Sequence, residues 1–462
     1  MRRTLILLAI SVFAAIPLAA QNTDIESLSG LQFNFGNPGA RSLGMGGAFL
    51  GLADDASAAE ANPAGLTILR KPEISIEGRN YLEQQVLTTS GTYPNLERTA
   101  FTHYSNRAAI TFGSFVYPFK NFAIAGYYHE PLRNEGSGQV IPIRNQFSGR
   151  IEKQVPSFYL NRDTQNPLTT QGCQDLRRST GDFFSCVQYT VLPFLTAVDI
   201  RQRTWGVAGA WKIGKLSIGA AARYQELSES AFTYRVDDAF NFSSISVQAT
   251  GKLDNGEIKP KSEKDITGSV GFKWEPTERF SIGGVYKQGP KFKAPTFIAT
   301  VETGLEFVQG DETTFHIPDI YGLGVSFRPI PVLTLNADAV RVKYSNLVDN
   351  FFSINGDIRA IDHAYRAADV TELHAGAEYF FSTKIPFAVR AGYWRDPAHS
   401  VEFNGPVNGA AAVGAAILFP KGQDQNHYSV GGGLAWPRFQ IDAAYDTSEH
   451  YKVGSISVVT RF

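Results

Sequence analysis

Few residues of this chain could do chemistry, and their spacing decides of what kind. Cys173 and Cys186, the two cysteines, stand in one polar segment. With no histidine or second cysteine pair beside them they fit a disulfide better than a metal site. Such a bridge closes a loop of about 15 residues and constrains the unfolded chain by about 3 kcal/mol in the entropy model. The eight histidines are scattered without paired ligand spacing, so no transition-metal site is expected. Gly44-Met45-Gly46-Gly47 looks like the start of a dinucleotide loop, but Phe49 takes the third glycine position and no strand precedes it. Asp54 and Asp55 read as helix caps rather than an acid/base pair. No catalytic constellation and no cofactor is expected. Charged residues such as Arg223 and Arg390 remain, and their use depends on where the fold puts them.

The leader and composition narrow that fold. Arg2 and Arg3, an apolar Leu5–Leu18 and Ala19-Ala20 make a secretory signal peptide over residues 1–20, cut after Ala20. No later run reaches the roughly 18 apolar residues of a spanning helix. With 43 Gly, 33 Phe and 19 Tyr against 2 Met in 462 residues, an aromatic-rich β architecture is expected. The balance of 43 Lys plus Arg against 44 Asp plus Glu gives a formal charge of −1, which does not call for nucleic acid.

From about residue 72 the chain alternates with period two. Leu216, Ile218, Ala220, Ala222 and Tyr224 oppose Ser217, Gly219, Ala221 and Arg223, and the same pattern recurs around Phe122, Phe280, Tyr321 and Phe439. A soluble sandwich would also alternate. Connection lengths separate the two: six short turns, at Pro118–Asn121, Lys212–Lys215, Glu275–Glu278, Arg328–Pro331, Ser382–Pro386 and Trp436–Arg438, alternate with long links. Membrane barrels keep that rhythm, with short periplasmic turns and long outer loops. With both termini periplasmic, six such turns require a transmembrane antiparallel β-barrel of about fourteen strands over residues 71–462. Tyr117, Trp211, Trp274, Phe327, Phe380, Phe381 and Trp436 flank the turns, as an interfacial girdle would.

Residues 21–70 precede the first strand. Their Asn37–Leu66 stretch has too few large apolar residues for its own core, and Gly39, Gly44, Gly46, Gly47 and Gly51 weaken helix and strand alike. A one-turn helix over Ala56–Ala61 ending at Asn62-Pro63-Ala64 is expected. Alone this could be a surface loop. Beside a barrel of intermediate bore it becomes an N-terminal plug, or hatch, inside the lumen. Alternation also turns Arg223, Lys287, Arg328, Arg390, Asp338, Glu378 and Asp442 inward, since a cation facing lipid costs about 2–4 kcal/mol at the midplane. Inside, they pair with one another or hold the plug; alternatively Arg223 or Arg390 meets a ligand carboxylate.

The segments GARSLGMGGAFLGLADDASAAEANPAGL (39–66) and HIPDIYGLGVSFRPIPVLTLNADAVRVKYSNL (316–347) resemble the FadL-type family of outer-membrane long-chain fatty-acid and aromatic-hydrocarbon transporters, as do 275–289, 372–381 and 387–396. The alternating run to Phe462 is similar to the closing strand of bacterial outer-membrane barrels, which the assembly machinery reads. The resemblance implies passive uptake of hydrophobic small molecules, fatty acids foremost, by a plugged barrel with a lateral opening, working as a monomer in outer-membrane lipid. It also implies an apolar landing groove in the outer loops, for which Val155, Phe158, Tyr159, Leu160, Phe183, Phe184 and Tyr189 offer material. Asn62, Pro63 and Ala64, with Gly46 and Gly47, become the expected gate, as a bend that shifts or one that stays fixed. The same plug wording is similar to a branch of secretion-system shuttle barrels, which keeps an adaptor role as the alternative.

Overall fold

The computed structural model describes residues 33–88, 100–139, 157–190, 194–236, 242–300, 306–348, 365–406 and 421–462, with a few positions between them. The leader, residues 21–32 and Val155 lie outside the described residues. Fourteen strands follow in chain order: β1 (Glu73–Thr88), β2 (Ala100–Pro118), β3 (Phe122–Gln139), β4 (Phe194–Ile213), β5 (Leu216–Val236), β6 (Glu263–Thr277), β7 (Phe280–Lys287), β8 (Ile320–Ile330), β9 (Leu333–Val342), β10 (Val370–Phe381), β11 (Phe387–Asp396), β12 (Gln425–Ala435), β13 (Phe439–Thr447) and β14 (Tyr451–Arg461). Each pairs antiparallel with the next, and β14 returns to β1 from Glu73↔Arg461 to Glu83↔Tyr451, so the sheet closes. Closure removes the unpaired edges that a bilayer would penalise.

The period-two pattern sorts the faces. Ile74, Ile76, Phe115, Val207, Ile218, Val270, Leu323 and Ile456 are exposed on the outside, while Ser75, Glu77, Ser114, Ser217, Ser269 and Ser457 are buried inside. An apolar outer surface of this extent is stable against lipid rather than water. No described helix is long and apolar enough to cross a membrane. Tyr117, Trp211, Trp274, Phe327 and Phe380 are exposed beside the short turns. Trp436 stacks on Phe439 at 4.3 Å between ring centroids and Phe381 on Phe387 at 4.5 Å.

Alternation places spans near 72–84, 106–118, 120–131, 196–212, 215–226, 263–274, 278–289, 318–328, 332–345, 371–382, 386–395, 426–436, 438–447 and 451–462, and these coincide with the strands to within a few residues, except that β1, β2, β3 and β5 run on at the long-loop end. There the links expected as loops hold further structure. Phe242–Ala249 continues the sheet from β5, Lys291–Thr300 pairs with it, and Val308–His316 pairs with that. Between β3 and β4, Ser157–Asn161, Pro167–Leu168 and Cys186–Thr190 form a small sheet beside an eleven-residue helix, Thr170–Thr180. The sequence of that segment does not make this helix evident. Thr169 caps it, its Oγ1 accepting from Gly172 N at 2.8 Å, and Gly181 ends it with φ 65°.

Cys173 and Cys186 form the expected disulfide, tying the helix to the strand after it. Reduction is expected to loosen this outer module by up to about 3 kcal/mol while leaving the barrel intact. The check is protease nicking between residues 157 and 190 with dithiothreitol, without loss of the heat-modifiable shift of the folded barrel on gels.

Candidate functional site

Residues 33–69 lie inside the barrel and touch its wall almost all the way round. At Gly39 and Ala40 the backbone N–H groups donate to Glu77 of β1 and Ser457 of β14. Gly46 and Gly47 have φ of 65° and 77°, and a Cβ on Gly46 would sit 2.8 Å from Tyr393 N of β11. Only glycine allows that fit. The Gly46 carbonyl also lies 2.7 Å from His374 Nδ1 of β10. Further on, Asp338 Oδ2 of β9 accepts from Phe49 N at 2.7 Å and Leu50 N at 2.8 Å. Ser281 Oγ and Lys273 Nζ donate to the Gly51 and Leu52 carbonyls. A segment without a core has thus exchanged its backbone hydrogen bonds for partners on the wall.

Asn62 closes the circuit. Its Nδ2 donates to Leu50 O at 3.2 Å and to Phe272 O of β6 at 3.1 Å, and its Oδ1 accepts from Ala64 N. It therefore ends one helix, Ala58–Ala61, and caps the next, the 3-10 turn Pro63–Ile68. The expected helix starts two residues late because Asp55 Oδ1 accepts from Ser57 N and Oγ, making a turn before it. Asp54 is no cap: it pairs with Arg41 and with Arg328. At the same level Arg390 Nε donates to Glu378 at 2.7 Å, Arg390 Nη1 lies 2.8 Å from Asp442, and Arg41 reaches Glu378 at 2.8 Å. Most of the inward charges are thus committed to one another and to the plug. Arg390 is among them and does not line the cavity described next.

That cavity lies above the plug. Its floor is Glu60, Arg223, Lys287 and His129; its sides include Phe35, Pro131, Ile317, Pro318 and Ile320. Glu60 Oε1 accepts from Arg223 Nη2 at 3.0 Å and from Lys287 Nζ at 3.3 Å, with His129 Nδ1 at 3.8 Å. All four residues are buried. Toward the long-loop end Phe33, Leu132, Ile200, Leu227, Phe292 and Phe315 join a buried apolar cluster that Phe35 packs against. Tyr344 Oη donates to the Phe33 carbonyl at 2.6 Å and fixes this arm. A cationic floor thus adjoins a buried apolar cluster, and the chain's own Phe35 and Glu60 line the space between them.

Beside the cavity the wall is broken. The β2–β3 ladder runs only from Pro118↔Ala123 to Phe112↔His129. Beyond it β2 stays paired to β1 as far as Ala100↔Thr88, and β3 to β4 as far as Gln139↔Leu195. The cause is local to β3. Glu130 and Pro131 form a bulge opposite one residue of β4, between His129↔Thr204 and Leu132↔Gln202. Proline has no N–H to donate, and a bulge bends the strand that carries it. Arg107 of β2 and Glu135 of β3 meet across the break, and Arg107 also lies 3.8 Å from Asp199.

Among the residues expected from sequence, Asn62, Pro63, Ala64, Gly46 and Gly47 are plug-to-wall contacts, and Arg223 reaches the cavity. Glu60 and Pro131 were missed. A proline within a strand marks a bulge or an edge, so Pro131 was readable; Glu60 sits in an alanine-rich turn that gives no such signal. In the outer module Phe183 and Phe184 are exposed with centroids 5.7 Å apart, while Leu160 is buried.

Residues 193–456, more than half of the chain, match the family model described as Outer membrane protein transport protein (OMPP1/FadL/TodX). No curated protein matches the sequence. The crystal structure of a Pseudomonas aeruginosa FadL homologue is similar with a TM-score of 0.59 at 16% identity, over 94% of this chain and 100% of that one. The P. putida toluene transporter TodX gives 0.55 at 13%, over 93% and 99%. The Ralstonia pickettii toluene transporter TbuX gives 0.53 at 15%, over 93% and 99%. At these identities the structures show a shared fold, and together with the matched family model they place the barrel in the outer membrane. The chain belongs to the outer membrane protein transport family of OMPP1, FadL and TodX.

Proposed function

We propose that this outer-membrane channel for hydrophobic compounds takes up amphiphiles with one anionic head, long-chain fatty acids foremost. They enter from the outer loops into the cavity above the plug and leave sideways through the β2–β3 break. The observation that carries this reading is the pairing of Arg223 and Lys287 beneath an apolar column. The two buried cations share a single carboxylate, Glu60, so an anionic head still finds positive charge to meet there, which a pure hydrocarbon cannot use. Each buried CH2 of the tail adds about 0.8 kcal/mol, so chain length tunes affinity. Passage is downhill and needs no energy source. The apolar filling of the outer half also supports transport over a shuttle role, which would need a wide polar mouth.

The experiment is uptake of radiolabelled palmitate and toluene by an outer-membrane host lacking its own channel for either. Palmitate uptake is expected to rise well above background and toluene uptake to rise less. Toluene uptake without palmitate uptake, from a folded barrel in the membrane, rejects the fatty-acid assignment.

A further inference from the structure

The ion cluster on the cavity floor is incompletely matched. Arg223 and Lys287 face one carboxylate, and both converge on a single oxygen, Glu60 Oε1. Glu60 Oε2, Arg223 Nε and His129 Nδ1 are buried with no hydrogen-bond partner. Arg223 therefore turns Nη2 alone toward the carboxylate, with the Tyr127 hydroxyl as the other side-chain group against the pair, although a guanidinium binds a carboxylate best through two parallel bonds. An anion better placed than Glu60 has a vacant donor to gain.

We infer that Glu60 is a resident stand-in for the ligand's carboxylate, held on Arg223 and Lys287 until an incoming acid takes that seat and frees the plug helix. This rests on the transport reading above and adds to it a coupling between ligand and plug. Glu60 is the one charged residue of Ala58–Ala61, and that helix packs on β4 and on β3, one of the two strands that part at the break. Exchange removes its ionic tie at the place where a ligand must turn toward the opening. An uncharged amphiphile of equal length fills the apolar column without this effect.

The test uses the purified full barrel in detergent with two probes, palmitate and hexadecanol, measured by calorimetry. Glu60→Gln removes the competitor, so palmitate affinity is expected to rise by about tenfold or more, with hexadecanol affinity unchanged. Hydrogen exchange on the native protein gives a readout that needs no variant. Palmitate is expected to lower amide protection over residues 58–62, and hexadecanol to leave it unchanged. Unaltered protection with palmitate, or a Glu60→Gln barrel that binds palmitate no tighter, overturns the exchange alone. A native barrel that binds neither probe overturns the transport reading, and the exchange with it.

Discussion

Deleting Pro131 is expected to reduce palmitate uptake to the background of cells without the protein, while the barrel still assembles and migrates as a folded species. The bulge places Glu130 and Pro131 opposite Arg203 alone, so removing one residue restores an even register between His129↔Thr204 and Leu132↔Gln202. The deletion also removes the one residue of the bulge that has no N–H to donate. Beyond Phe112 the two strands then have matched donors and acceptors across a short distance, and in lipid an unpaired backbone group costs several kcal/mol. The ladder should zip and seal the wall beside the cavity. Ligand affinity in detergent should fall far less than uptake, since the deletion removes one apolar residue from the cavity side and leaves Arg223 and Lys287 in place. Calorimetry with palmitate alongside cell uptake makes the comparison. Undiminished uptake with the bulge removed would mean that the break is not the exit.

The barrel was legible because a membrane wall imposes its rule residue by residue. Each strand has one face in lipid, so a pattern such as Leu216, Ile218, Ala220 against Ser217, Gly219, Ala221 fixes both strand and register. Where the chain leaves the bilayer that rule lapses. Phe242–Ala249 and Lys291–Thr300 are strands that water allows but does not demand, and they read only as loops. The plug was legible in outline, since a glycine-laden segment with no core must borrow walls. Its partners were not: Asp338 accepting from Phe49 and Leu50, or Asn62 donating to Phe272, joins residues more than 200 positions apart in sequence. Inward charge was predictable at Arg223 and Arg390 alike, but alternation gives the face and not the height along the barrel. Height is what separates a ligand seat from a plug anchor.

That separation gives the last expected result. Arg390→Gln should lower barrel stability and leave palmitate affinity unchanged, whereas Arg223→Gln should lower palmitate affinity with a smaller loss of stability. Arg390 lies between the partly buried Glu378 and the fully buried Asp442, both at ion-pair distance. Breaking a buried pair strands the remaining charge and costs about 3–5 kcal/mol. Here the loss is softened because Arg41 still meets Glu378 and Gln440 Nε2 still donates to Asp442 at 2.8 Å. The lower end of that range is therefore expected, with a looser plug as its consequence. Urea unfolding followed by Trp fluorescence, and entry of a hydrophilic dye into liposomes, measure the two effects. At Arg223 the partner Glu60 keeps Lys287, so stability should move less. A ligand carboxylate instead loses a charged donor worth about 1.5–3 kcal/mol, which is roughly tenfold to hundredfold in Kd. Hexadecanol, lacking the charge, should bind both variants like the native protein. A drop in palmitate affinity in Arg390→Gln with Arg223→Gln unaffected would move the ligand seat from the cavity to the plug's ionic ring.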